Sequence, residues 1–456
     1  MAWHDELTGT PHDIASSNEK RIRVMAGPGT GKSYAMKRRI ARLLEEGCPP
    51  ERILAVTLTR NAAKELVKDL KDLGVAGCES VLVGTLHSFC FKLLKNTGYL
   101  ATLGRGLRLL MSFEDKPLEQ DLVKIGGFGG VLECRKRIKA FEAAWARMQD
   151  EVPGWPTDPV DRSFNTALTG WLAFHGALRI GELAPLTLKY LRNNPASEEL
   201  SAYDHIIVDE YQDLNKAEQD VIALLARDCM CAIVGDEDQS IYGFRHAHPE
   251  GIMDFSTVHP GTQDHHLDEC RRCPKSVVRL ANELIGHNHP IGAPSRLREC
   301  ATKEDGNVEI VQWDDLNAEV IGLSSFIKKA VADGRPAEDF MVLCPNKEVV
   351  QSIRNKLREL WLDAHSFYSE DAFETPEAKR AFSLLTLLVS PDDLMALRFL
   401  IGVGSKGWLA DQYAKLRQNC EDAGQPPRAI LDSIVAGTVE IRGGDKTSHR
   451  VRSRSR

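Results

Sequence analysis

Short apolar runs bounded by turn-forming residues recur along the chain and predict buried parallel strands. They lie at 21–27, 53–59, 81–85, 205–210 and 231–236. Between the first two runs, the apolar residues from Met36 to Leu44 keep helical spacing, and Gly47 provides a stop signal. A strand, a helix and a second strand in this order predict a doubly wound α/β domain.

The strand pattern is interrupted once and then returns. Residues 91–199 carry helical patterns only, whereas 307–313 and 340–344 again resemble strands around a predicted helix near 319–332. We therefore expect four regions along the chain. They are a first α/β domain at 1–90 and 200–285, a helical insertion at 91–199, a partial second α/β domain at 286–375, and the start of a second helical insertion with a basic tail at 376–456.

The composition fits a multidomain globular protein. Of the 456 residues, 43% are hydrophobic and 27% are charged, which leaves enough apolar surface for sizeable cores. A formal charge of -7 neither supports nor excludes a nucleic-acid partner, because local grooves can still be positive. No apolar run approaches the length of a membrane span and the N-terminus lacks a signal pattern, so we expect a cytoplasmic protein without a membrane partner.

A glycine-rich loop follows the first predicted strand and precedes the first predicted helix. Its sequence AGPGTGKS matches the pattern of a glycine, four residues, a second glycine, lysine and serine. Such a loop turns its backbone N–H groups toward phosphate oxygens, while the lysine adds a positive charge and the serine hydroxyl can hold magnesium. The predicted nucleotide-binding residues are Ala26, Gly27, Pro28, Gly29, Thr30, Gly31, Lys32 and Ser33.

Two adjacent carboxylates follow the predicted strand at 205–210. After an apolar run, Asp209 can hold magnesium and Glu210 can polarise the water that attacks the terminal phosphate. A surface acidic turn is the simpler alternative, but four apolar or β-branched residues before the pair favour a strand end. Together with the glycine-rich loop, this pair predicts hydrolysis of a nucleoside triphosphate.

Five further segments narrow the class. They are TLTRNAAKEL (57–66), GTLHSF (84–89), VDEYQDLN (208–215), VGDEDQSIYGFR (234–245) and LDECRRCP (267–274). In this order they resemble motifs Ia, Ib, II, III and IV of UvrD/Rep-type superfamily 1 helicases, and the resemblance covers most of residues 7–404. It implies an α/β fold: a RecA-like P-loop NTPase domain with a helical insertion, plus a partial second RecA-like domain. It also implies ATP and Mg²⁺ as cofactors.

The resemblance assigns roles to single residues. Gln239 would sense the terminal phosphate and couple it to DNA, and Arg272 would be the arginine finger that stabilises the transferring phosphoryl group. The lysine of the loop and the two carboxylates, Lys32, Asp209 and Glu210, complete the predicted catalytic set. The implied partner is single-stranded DNA or a duplex with a 3′ tail, tracked with 3′-to-5′ polarity in DNA repair or recombination. The implied DNA contacts are Thr59, Arg60, Thr85, His87, Tyr242, Phe244 and Arg245.

Some positions depart from the family pattern. Pro11 stands where the family has an adenine-reading glutamine, which makes adenine specificity an open point. The arginine and tyrosine that sandwich the base in the family are exchanged, since this chain has Tyr34 and Arg271. We expect the stack to persist with its faces reversed, because a guanidinium plane and a phenol ring can each cover a purine.

Motifs V and VI, the second of which carries a further catalytic arginine in the family, are not found in the sequence. Three explanations stay open: a fragment or shortened gene product, a second chain that supplies both motifs, or motifs altered beyond recognition. An ATP-driven DNA motor is the first functional hypothesis, and an ATP- and DNA-binding regulatory subunit is the alternative. A P-loop kinase or GTPase is disfavoured because no guanine-reading segment is present. A zinc site at Cys270 and Cys273 is a weaker alternative for that CxxC pair.

Overall fold

The computed structural model describes residues 3–5, 7–290, 296–366 and 375–438, so the predicted basic tail lies outside the described residues. The described residues form ten strands. In chain order, β1 to β10 are Arg21–Ala26, Ile53–Val56, Leu82–Gly84, Arg108–Leu109, Ala177–Leu178, His205–Val208, Met230–Gly235, Gln263–Leu267, Glu269–Cys270 and Arg298–Glu299.

The same residues form nineteen α-helices, joined by short 3-10 turns. In chain order, α1 to α19 are Thr10–Ser16, Lys32–Glu45, Arg60–Asp72, Leu86–Thr97, Tyr99–Thr102, Asp115–Ile125, Val131–Ala146, Pro159–Phe174, Leu183–Asn193, Lys216–Leu225, Glu250–Met253, Phe255–Val258, Lys275–Gly286, Leu316–Ala332, Lys347–Glu359, Pro376–Val389, Leu394–Gly402, Ala410–Ala423 and Pro427–Val435. None of these helices is long and apolar enough to span a membrane.

A six-stranded parallel sheet in the order β3-β2-β6-β7-β1-β8 carries the first α/β domain. All five apolar runs of that region form strands of this sheet, which confirms the prediction. The sixth strand, β8, was not predicted, because its sequence QDHHL is polar and its residues alternate between buried and exposed as an edge strand permits. Apolar clusters cover both faces of the sheet. Because every strand is parallel, the carboxyl ends of β1, β6 and β7 meet at one edge.

The helical insertion packs against the C-terminal helices of the described residues, α17 to α19. Arg398 of α17 is completely buried, and its guanidinium donates two hydrogen bonds to Asp121 of α6, at 2.6 and 2.8 Å. The indole of Trp171 donates a third to the same carboxylate, at 3.0 Å. His175 accepts a hydrogen bond from the Tyr413 hydroxyl of α18 at 2.7 Å, since its Nδ1 donates to the carbonyl of Trp171. These buried hydrogen bonds connect the two regions.

The described residues between 307 and 391 form a second unit, and the other described residues form the first. Helices α14 and α15 of the second unit pack through four buried residues, Val320, Ile327, Ile353 and Leu357. The predicted strands at 307–313 and 340–344 are wrong, because neither segment forms a strand in the structure. A parallel strand needs a paired neighbour for its backbone groups. The described residues of this unit supply none, and Ile310 and Leu343 are 92% and 87% exposed.

Candidate nucleotide site and adjoining groove

A cavity of about 370 Å³ lies at the carboxyl edge of the large sheet and gathers residues from four separate stretches of the chain. It is lined by Pro28, Gly29, Gly31, Lys32, Ser33, Tyr34, Glu210, Gln239, Arg271 and Arg272. Every one of these was predicted from the sequence as a nucleotide-binding or catalytic residue. Of the remaining predicted residues of this segment, Ala26 is the last residue of β1, and Gly27 and Thr30 lie in the loop between β1 and α2.

The loop between β1 and α2 has the geometry of a phosphate-binding turn. Gly29 and Gly31 have φ of 72° and 97°, a left-handed conformation that glycine adopts without strain. The Thr30 hydroxyl donates to the carbonyl of Gly27 at 2.7 Å and closes the turn. Ser33 is exposed in the first turn of α2, where free backbone N–H groups and the helix dipole attract anions.

The loop also packs closely against the segment after β8. A Cβ atom on Gly29 would lie 2.7 Å from Cβ of Arg272 and 3.0 Å from Sγ of Cys270. The backbone N–H of Arg271 donates to the carbonyl of Gly29 at 2.9 Å. The two arginines are therefore held against the glycine-rich loop by backbone contacts, and the buried Cys270 is part of that packing.

Lys32 and Glu210 are paired in the cavity. The Nζ of Lys32 lies 3.0 Å from Oε2 of Glu210. Glu210 has φ of 52°, which is uncommon for a residue with a side chain and costs backbone free energy. Such strain is retained where it aims a functional group, and here the glutamate side chain reaches the cavity.

Asp209 is half-buried beside this pair. The pKa of its carboxyl is raised to about 6, mainly by burial and then by the charge of Glu210, while the charge of Lys32 acts in the opposite direction. A cation near Asp209 would relieve this unfavourable burial. The hydroxyl of Ser33 and the carboxylate of Asp209 are hard oxygen donors of the kind that magnesium prefers, so the residues fit the ion.

A hydrogen-bonded chain that the sequence analysis missed connects the cavity to the end of β7. Gln212 donates from Nε2 to Oε2 of Glu210 and accepts from the backbone N–H of Asp236, each at 3.0 Å. Asp236 in turn accepts from Nε2 of Gln239 at 2.7 Å. Gln212 stands in the segment VDEYQDLN, and its position two residues after Glu210 was the only sequence signal.

The proposed base-stacking residues both line the cavity. The Tyr34 hydroxyl accepts from Arg38 at 3.1 Å, and the Arg38 guanidinium lies 5.2 Å from the Tyr34 ring centroid. Arg271 donates from Nε to Glu269 at 3.0 Å, and its side chain is 62% exposed. Pro11 occupies the first turn of α1, where a missing backbone N–H costs no helical hydrogen bond.

A separate groove of about 870 Å³ runs between the sheet domain and the helical insertion. The predicted DNA contacts Arg60, Thr85, His87, Phe244 and Arg245 line it. The other two, Thr59 and Tyr242, are not among its lining residues. The Thr59 hydroxyl instead accepts from the N–H of Ala62 and caps α3, while the Tyr242 ring lies 5.7 Å from both the Phe244 ring and the Arg245 guanidinium.

Comparison with known proteins agrees with this geometry. Residues 8–260 match the model of the UvrD/REP helicase N-terminal domain, and residues 265–424 match that of the UvrD-like helicase C-terminal domain. The chain belongs to the UvrD/REP helicase family. The α/β fold class and the family that the sequence predicted are thereby confirmed.

Among curated proteins, the chain is similar to the ATP-dependent DNA helicases PcrA of Staphylococcus epidermidis and Staphylococcus aureus. Each is 25% identical over 416 residues, which cover 87% of this chain and 55% of the relative. The chain therefore spans about half the length of these relatives. Within the described residues, no group of three or more His, Cys, Asp and Glu side chains is arranged to hold a metal ion.

Proposed function

We propose that this chain is an ATP-driven motor component of the UvrD type that hydrolyses ATP in response to single-stranded DNA. The observation that carries the proposal is the single cavity in which Lys32, Glu210, Gln239 and Arg272 converge. These are the charge, water-positioning, sensing and arginine-finger groups that phosphoryl transfer requires. The named relatives are ATP-dependent DNA helicases, which supports ATP and DNA as the ligands.

The residues of the cavity divide the chemistry between them. Lys32 binds the terminal phosphates, and Glu210 orients the attacking water. Ser33 and Asp209 would hold magnesium, which when bound neutralises charge on the phosphate oxygens. Arg272 lies across the loop from these groups, held by the close packing at Gly29, and its guanidinium stabilises negative charge as the phosphoryl group transfers.

The link between nucleotide and DNA runs through Gln212 and its neighbours. Gln212 is hydrogen-bonded to Glu210 at the cavity. The next residue, Asp213, lines the DNA groove. After the end of β7, Gln239 lines the cavity. Phe244 and Arg245, five and six residues later in the chain, line the groove. A change in either site therefore reaches the other through short, directly bonded segments. We propose translocation with 3′-to-5′ polarity and a role in repair or recombination of DNA in the cytoplasm, as the resemblance to the family implies.

Features of the second unit indicate that the motor needs further polypeptide for full activity. Its predicted strand segments at 307–313 and 340–344 are unpaired, and the catalytic arginine of motif VI is not found in these 456 residues. We propose that a second chain, or polypeptide outside these residues, supplies motifs V and VI. A regulatory subunit that binds ATP and DNA without turning over is the second candidate, and the same observation favours it.

An ATPase assay followed by unwinding separates these functions. We expect the 456 residues to hydrolyse ATP slowly, with stimulation by single-stranded DNA, and to unwind a 3′-tailed duplex poorly. The Glu210→Gln variant serves as the baseline. Hydrolysis no faster than this baseline would favour the regulatory subunit, whereas robust unwinding by these residues would contradict the need for further polypeptide. A 5′-tailed duplex tests the polarity.

A further inference from the structure

Helix α4 has one apolar face in the domain core and one polar face on the groove. Its core residues are Leu86, Cys90, Leu93 and Leu94. The residues that we name the α4 stripe line the groove and are His87, Ser88, Phe91, Lys92 and Lys95. Positions 87, 91 and 95 are four residues apart and therefore lie along one side of the helix. The stripe extends for about 12 Å, at about 1.5 Å per residue.

The lysines of the stripe are available for a ligand. Lys92 and Lys95 are exposed, and neither forms an ion pair with any residue in the described part of the chain. Three acidic side chains also line the groove. Glu142 accepts from Nε of Arg179 at 2.7 Å, Glu218 accepts from the backbone N–H of Asn215 at 2.9 Å, and Asp213 accepts from Nε2 of Gln212 at 3.5 Å. None of the three forms an ion pair with Lys92 or Lys95, so the unpaired charges that the stripe itself contributes are positive.

The stripe continues the set of predicted DNA contacts without a break. Thr85 caps α4 by accepting from Ser88 N–H at 3.3 Å, and His87 lies in the first turn. Arg60 and Arg245 line the same groove, and their guanidinium groups form no ion pair with a described residue. Phe91 is half-buried and offers an apolar surface between the charges. Cations interleaved with aromatic side chains are the arrangement that tracks single-stranded nucleic acid without reading its sequence.

We propose that the α4 stripe is a binding site for the phosphate backbone of single-stranded DNA, with Lys92 and Lys95 each contacting one phosphate. The site extends the proposed DNA path along helix α4. It rests on the proposed function, because it presumes that the groove holds DNA. A contact of this kind adds affinity but no sequence preference.

The salt dependence of binding measures these contacts directly. The full chain is titrated with a fluorescent oligothymidylate at several salt concentrations, and the logarithm of the binding constant is plotted against that of the salt concentration. For single strands each phosphate contact contributes about 0.7 to the slope. The double variant Lys92→Gln/Lys95→Gln should therefore lower the magnitude of the slope by about 1.4.

Two matched variants control for net charge and for folding. Lys64→Gln/Lys68→Gln removes two exposed lysines from α3 that do not line the groove, and it should keep the original slope. Lys92→Arg/Lys95→Arg keeps the charge and should also keep it. If the slope and the affinity were unchanged in Lys92→Gln/Lys95→Gln, the α4 stripe would not be a phosphate-binding site, and the proposed function would be unaffected. Absence of DNA binding by the unaltered chain would contradict both.

Discussion

The ammonium of Lys32 lies 3.0 Å from a carboxylate oxygen of Glu210, so the lysine that we propose binds phosphate is paired with the glutamate that we propose orients water. A nucleotide must replace this contact, because the terminal phosphates compete with Glu210 for the lysine. The pair therefore links nucleotide entry to release of the glutamate.

The roles of these two residues predict different defects. Lys32→Ala should weaken nucleotide binding and lower hydrolysis by about a hundredfold or more, because a charge on the terminal phosphates is lost. Glu210→Gln should lower hydrolysis by a similar factor while binding stays near that of the unaltered chain. Titration with a fluorescent ATP analogue, combined with steady-state hydrolysis, distinguishes them. Equal loss of binding in both variants would contradict the division of roles.

The exchanged stacking pair predicts a selective effect on the Michaelis constant for ATP. Tyr34→Ala and Arg271→Ala should each raise it about tenfold, since stacking against an aromatic ring or a guanidinium contributes about 1 to 2 kcal/mol when desolvated. Lys37→Ala, next to the same tyrosine but absent from the cavity lining, is the control and should have little effect. If both Tyr34→Ala and Arg271→Ala left the constant unchanged, the reversed stack would be wrong.

Gly29 should tolerate substitution less well than Gly27. Alanine at 29 combines a φ of 72° with a Cβ only 2.7 Å from that of Arg272, so we expect a loss of about 1 to 3 kcal/mol in the free energy of unfolding. At Gly27 the added Cβ would lie 2.4 Å from the terminal Cδ2 of Leu297, which can move by rotation of the side chain, and φ is ordinary. Thermal and chemical denaturation of Gly29→Ala and Gly27→Ala measure the difference. Equal stability would show that the close packing at Gly29 does not constrain the loop.

The stability of the insertion should fall in mild acid because of His175. The pKa of this histidine is lowered to about 3, mainly by burial, while its hydrogen bond to the carbonyl of Trp171 raises it and the nearby charge of Arg398 lowers it. In the unfolded chain this histidine binds a proton near pH 6.5, whereas in the folded chain it stays neutral until about pH 3. Its contribution to the free energy of unfolding is therefore complete above about pH 6.5 and is lost as the pH falls toward 3. Between pH 7.5 and 5 this histidine should lower the free energy of unfolding by about 2 kcal/mol.

Chemical denaturation at the two pH values checks this prediction. His175→Gln should lose about 2 kcal/mol less than the unaltered chain over the same pH interval, even if it is less stable throughout. His287→Gln, which changes an exposed histidine of the same unit, should behave as the unaltered chain does. An identical pH dependence in His175→Gln would exclude the buried histidine as its source.

Sequence patterns predicted the parts of the molecule whose residues act locally. The continuous apolar runs gave five strands of the large sheet, and the loop from Ala26 to Ser33 lies where its pattern required. Edge strand β8 was not predicted, because a strand with one open side tolerates the polar residues of QDHHL and has no continuous apolar run. The part of Gln212 in the hydrogen-bonded chain was not predicted, because it depends on Asp236, which follows a different strand.

Other features depend on what surrounds a segment. The runs at 307–313 and 340–344 have strand-like sequences, but pairing requires neighbours that the described residues do not provide. Lys92 and Lys95 resemble an ordinary solvated helix face, and only the groove beside them suggests a ligand. The buried contact of Asp121 with Arg398 joins residues 277 positions apart and has no local signal.

The central claim is that the cavity at the carboxyl edge of the sheet is an ATPase site under the control of single-stranded DNA. Its most direct test is the rate of ATP hydrolysis by the 456-residue chain with and without oligothymidylate, with Glu210→Gln measured in parallel. We predict a slow basal rate that rises when DNA is added and falls to the background in Glu210→Gln. A rate that is the same in the chain and in Glu210→Gln, with and without DNA, would contradict the account.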